Sequence, residues 1–94
     1  MIRNEELLAD ALKERVEADM DMPYGIAEFC YDDIEIDSDT IVEVEGWTEY
    51  TTGYDDSCNY HYYSYLSIDI CRIEGIKADG RKVAQLLKEK LLYG

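Results

Sequence analysis

The sequence predicts a two-layer α+β fold in which a three-stranded antiparallel sheet carries two helices on one face, in the order α-β-β-β-α. Three observations predict it. Apolar residues recur at helical spacing at both ends of the chain; aromatic and β-branched residues alternate with polar ones over three central stretches; and clusters of Asp, Ser, Gly and Asn separate those stretches. The 94 residues suit a single domain spanning 1–94, because a chain of this length buries too little surface for two separate cores.

The first helix is expected over residues 5–18. Asn4 stands at the N-cap position, and Glu5 and Glu6 place negative charge in the first turn, where the helix dipole favours it. Leu8, Leu12 and Val16, flanked by Leu7 and Ala11, form one apolar stripe. The segment around Pro23 and Gly25 ends this helix, since a residue preceding proline disfavours helical geometry.

The first strand is read over Ile26 to Ile36. Its alternation changes phase, with Ala27, Phe29 and Tyr31 on one face and Ile34 and Ile36 on the other, and a bulge near Asp32-Asp33 reconciles the two halves. Asp37 to Thr40 reads as a turn. The second strand, Ile41 to Thr52, directs Val42 and Val44 inward and Glu43, Glu45 and Glu49 outward. Turn-forming residues follow from Gly53 to Asn59, and the third strand runs from Tyr60 to Glu74. Uniform alternation from Leu66, Ile68 and Ile70 sends Tyr63, Tyr65, Ser67 and Asp69 to the open face and Tyr60 and Tyr62 toward the helices. Asp79 then caps a closing helix over residues 80–92, with Val83, Leu86, Leu87 and Leu91 as its apolar stripe.

Twenty-two acids against nine lysines and arginines give a net charge of −13. Residues 1–57 hold 18 acids and 3 bases, whereas residues 58–94 hold 4 acids and 6 bases. A field of this sign repels nucleic-acid phosphates and anionic lipid and steers basic proteins inward, so neither direct nucleic-acid binding nor membrane association is expected. No run reaches the roughly 18 apolar residues of a membrane span. The first twenty residues lack the apolar core of a signal peptide, and three cysteines leave at least one unpaired, which together predict a cytoplasmic protein.

Two features of the expected open face invite a binding role. Asp33, Glu35, Glu43, Glu45 and Glu49 form an acidic array in which alternate residues repeat at about 6.7 Å, comparable to two axial steps of a DNA strand. Tyr50, Tyr54, Tyr60, Tyr62, Tyr63 and Tyr65 concentrate rings with polar tips, and Tyr63 and Tyr65 fall beside the glutamates as candidate anchors. The expectation is an acidic protein-binding module, of inhibitor or nucleic-acid-mimic type, that docks on a basic or nucleic-acid-binding protein. The alternative is a self-associating protein whose open sheet face makes a homodimer, so both monomer and dimer remain open.

No catalytic or cofactor signature appears, and neither an enzyme nor a cofactor is expected. The sole histidine, His61, would have to serve Ser57 or Cys58 without a nucleophile elbow or a glycine-rich phosphate loop. Cys58 and His61 have a C-x-x-H spacing that Cys30 and Cys71 could complete, but structural zinc sites show two close ligand pairs and this chain has one. Asp32-Asp33 and Asp55-Asp56 lie outside any EF-hand pattern. No metal site is expected.

Overall fold

Leu8, Leu12 and Val16 lie one turn apart and are wholly buried along one side of α1 (Asn4–Asp19), which opens the fold in a computed structural model that describes residues 4–93. Glu5 and Glu6 occupy its first turn. The Asn4 side-chain amide donates to the Lys77 carbonyl at 3.2 Å, tying the start of α1 to the segment that leads into the last helix. At the other end, Met20 N–H reaches back to the Glu17 carbonyl and its side chain closes the core.

Three strands follow, β1 (Tyr24–Asp37), β2 (Thr40–Asp55) and β3 (Tyr60–Glu74), then α2 (Gly80–Tyr93). They form one antiparallel sheet in the order β1-β2-β3, with both helices packed against each other and against the same face of the sheet. Val83, Leu87 and Leu91 of α2 meet the α1 stripe over Phe29, Ile34, Val42, Val44, Tyr50 and Leu66. Each fully buried Leu or Val contributes roughly 1.5–3 kcal/mol relative to exposure. Asp79 caps α2 as its sequence suggests: its carboxylate accepts the Arg81 N–H and its carbonyl the Val83 N–H, both at 3.0 Å.

The expected bulge is present. The β1–β2 register shifts between Tyr31 and Ile34, so Asp32 and Asp33 have no paired partner and both apolar halves of β1 face the helices. Arg15 of α1 seals the bulge, bonding Asp33 at 2.6 Å while its guanidinium lies 4.5 Å above the Tyr31 ring. The Tyr31 hydroxyl donates to Asp19, and partial burial, followed by that carboxylate, holds the phenol well above its ordinary pKa.

Three readings change. Gly53 to Asp55 continue β2 instead of forming a turn, because Gly53 lies opposite Tyr62, whose ring fills the space a side chain would need. The reversal is confined to residues 56–59, where Asp55 accepts hydrogen bonds from the backbone and hydroxyl of Ser57 and Asn59 adopts φ 53°. β3 carries two bulges of its own, at Ser64 and at Cys71. The first changes the phase of the tyrosines: Tyr63 packs on the core, whereas Tyr60 and Tyr62, stacked at 6.3 Å, are exposed. β1 pairing stops at Tyr24 opposite Thr51, so β2 and β3 continue beyond it as a two-stranded ribbon, in a molecule of 46 × 27 × 21 Å.

Candidate functional site

Both helices lie on one face of the sheet, and the register determines what the other presents. Because directly paired residues share a face, the uncovered side can be read as rows crossing β1, β2 and β3. Tyr24, Thr51 and Tyr65 make the first row, Ile26, Glu49 and Ser67 the second, Glu28, Trp47 and Asp69 the third, and Cys30, Glu45 and Arg72 the fourth. Glu43 and Glu74 pair beyond them, and Glu35 stands opposite the exposed Ile41 at the far end.

Of the residues singled out from sequence, Glu35, Glu43, Glu45, Glu49 and Tyr65 therefore share this surface. Two do not. Asp33 points from the bulge to Arg15 on the helical side, and Tyr63 is turned inward, where burial, then the charge of Glu17 on α1, raises its phenol pKa. Both departures follow from bulges, which change the face that successive residues occupy.

The charge distribution is sharper than the division along the chain implies. The three strands contain eleven acids and a single arginine, Arg72, and no lysine. The helices are close to balanced, since the basic α2 lies beside the acidic α1 and Lys90 bonds Asp10 at 2.6 Å. Negative potential is thus concentrated in the sheet layer.

Arg72 organises one end of the face. It contacts Glu74 at 3.1 Å, Glu45 at 3.2 Å and Glu43 at 3.5 Å, and the Glu45 and Glu74 charges hold its pKa above the ordinary value. Glu45 also accepts a hydrogen bond from the Cys30 thiol at 3.4 Å, which raises the thiol pKa and suppresses the thiolate. The centre of the face is different. Trp47 is half-buried between exposed Glu28 and Asp69, and among the described residues neither carboxylate has an ion-pair partner. A shallow depression of about 460 Å³ lies here, lined by Glu28, Phe29, Cys30, Glu45, Gly46, Trp47 and Cys71.

Glu28, Trp47 and Asp69 did not emerge as site residues from the sequence. The signal for Trp47 was available, because it has the same parity as Glu43, Glu45 and Glu49 on one strand. That Glu28 and Asp69 flank it depends on pairings between strands.

The four potential zinc ligands are dispersed. Cys30 and Cys71 flank the Glu45-Gly46 segment, whereas Cys58 and His61 lie at the ribbon tip, ten residues along β2 and roughly 33 Å away. Among the described residues no group of three or more His, Cys, Asp or Glu side chains is placed to hold a metal ion. His61 rests against the Tyr54 ring at 4.5 Å, and the Ser57 hydroxyl bonds Asp55 at 2.6 Å. Among the described residues no helix is long and apolar enough to cross a membrane.

No family model, curated protein or solved structure matches this chain.

Proposed function

We propose that this protein is a small acidic binding module whose uncovered sheet face docks on a basic partner protein and, in the sharpest form of the idea, occupies the cationic site with which a nucleic-acid-binding protein holds phosphates. The observation that carries the reading is the composition of the strands, eleven acids against one arginine, on a sheet that leaves one face uncovered. Ordinary solvated faces mix both signs. Glu43, Glu45 and Glu49 stand in line along β2, and residues two apart on a strand repeat at about 6.7 Å, near twice the axial step of a nucleic-acid strand. Tyr65 and Tyr24 border this array with exposed rings suited to desolvated contacts. The same field disfavours direct contact with nucleic acid or anionic lipid, and the action proposed is binding, not catalysis, in a cytoplasmic setting.

The test is retention of lysate proteins on the immobilised chain at low salt, with a salt-gradient elution and a Glu43/Glu45/Glu49→Gln comparison. A basic protein held by the native chain, lost with the triple variant and displaced by duplex DNA supports the reading. Retention of the same proteins at the same salt by both chains refutes it.

A second reading, homodimerisation through the uncovered face, is favoured by the exposed Ile26 beside Tyr24 and Tyr65. It predicts a dimer in sedimentation that strengthens with salt as repulsion is screened, whereas a monomer at all salt concentrations argues against it.

A further inference from the structure

The centre of the uncovered face has a chemistry that its acidic character alone does not describe. Trp47 lies on the middle strand, directly between Glu28 on β1 and Asp69 on β3. Neighbouring strands are about 4.8 Å apart, so Glu28 and Asp69 flank Trp47 on either side at one strand spacing. Glu43, Glu45 and Glu74 are already engaged by Arg72, but among the described residues Glu28 and Asp69 have no cationic partner. An indole attracts a cation to its ring face, and a guanidinium adds to this a flat surface for stacking and a fork of N–H donors for carboxylates. An ammonium group is a compact, strongly hydrated point charge without that planar surface.

We propose that Trp47, Glu28 and Asp69 form a clamp for one arginine side chain of the basic partner, so that the face selects arginine over lysine. The inference rests on the acidic-face reading above and adds the residue chemistry that the partner must present. Charge selects this occupant over a second copy of the chain, which would bring its own Glu28, Glu35, Glu43, Glu45, Glu49, Asp69 and Glu74 against the same surface with only its own Arg72 to offset them.

Trp47 is the only tryptophan, so its fluorescence reports on this site alone. The full chain is titrated with labelled deca-arginine and deca-lysine peptides at low and moderate salt, reading peptide anisotropy and Trp47 emission. Both peptides are expected to bind and to weaken with salt, with deca-arginine roughly three- to tenfold tighter and alone changing Trp47 emission. Trp47→Leu is expected to bring the two affinities to within about twofold, chiefly by weakening deca-arginine. The Glu28→Gln/Asp69→Asn pair should lower arginine affinity more than the remote charge-matched Asp37→Asn/Asp39→Asn pair, and this comparison decides the matter if circular dichroism shows that Trp47→Leu does not fold.

Equal affinities with unchanged emission, or an arginine preference that survives Trp47→Leu, overturn the clamp and leave the acidic-face reading standing. Binding of neither peptide overturns both. A Trp47 emission change that grows with protein concentration without peptide, alongside self-association in sedimentation, also overturns the clamp, because a second copy then covers the site.

Discussion

Replacing Gly46 by alanine tests the packing beneath the candidate site. Gly46 lies directly opposite Phe29 on β1 and Ile70 on β3. A Cβ there would run into the Asp69 carbonyl and come within 2.7 Å of Phe29 Cζ and 3.1 Å of its Cε2. The aromatic ring thus fills the volume that the glycine leaves empty across the strand pair. Neither obstacle yields readily. The carbonyl belongs to the backbone of the β2–β3 ladder, and Phe29 is buried and stacked at 5.4 Å on Tyr31, whose ring lies under Arg15.

Alanine gains about 0.4–1 kcal/mol where glycine's conformation suits it, by restricting the unfolded chain. Against that, overpacking costs roughly 1–3 kcal/mol, and each ladder hydrogen bond strained by the displaced carbonyl costs about a further 1 kcal/mol. The net expectation is a loss of about 2 kcal/mol, a fall in Tm of roughly 8–16 °C for a domain of this size. Thermal and urea unfolding followed by circular dichroism measure it. Gly53→Ala is the control, because its Cβ would meet the Tyr62 ring as closely, at 2.6 Å, but that ring is exposed on the overhanging ribbon and free to swing aside. Gly53→Ala should be near neutral. The reasoning is refuted if Gly46→Ala melts with the native chain, or if Gly53→Ala is equally damaging. Phe29→Leu should relieve part of the Gly46→Ala penalty, giving a favourable coupling in the double variant.

Other predictions concern charge and titration. The excess of acid in the sheet predicts that Tm rises with moderate salt, and Arg72→Gln should lower Tm at low salt and recover as salt is added, since it leaves Glu43, Glu45 and Glu74 repelling one another. Melts across a salt series check both, and a salt-insensitive melt contradicts them. With Cys58 and Cys71 replaced by serine, Cys30 should react slowly with a thiol reagent at mildly alkaline pH and faster in a Glu45→Gln background, because the Glu45 carboxylate holds the proton on sulfur. Tyr31 and Tyr63 are both raised in the folded state, so their contribution to stability is complete below the unfolded tyrosine pKa of about 10 and declines as pH rises above it. Urea midpoints between pH 8 and 11 should fall, with a shallower slope for Tyr31→Phe.

The bulge at Asp32-Asp33 was legible because strongly apolar residues on both sides of it change parity, and only a helix-facing strand with one extra residue buries both sets. The bulge at Cys71 left a similar trace, in that Ile70 and Ile73 are three residues apart and both pack toward the core. The bulge at Ser64 left none. From Tyr60 to Tyr65 every side chain is a tyrosine, histidine or serine, amphipathic enough for either face, so hydrophobic contrast does not report the phase and uniform alternation sends Tyr63 outward.

The sequence by itself determined the element order, the two helical stripes, the capping of α2 by Asp79 and the acidity of the protein, since these rest on local spacing and composition. Only the tertiary structure decided that the charge is divided between sheet and helices, that Tyr63 is turned inward, and that Trp47 stands between Glu28 and Asp69. The last of these joins residues from three strands through hydrogen-bond register, and register is set by pairing across the sheet and by bulges that shift it, which periodicity within one strand does not encode.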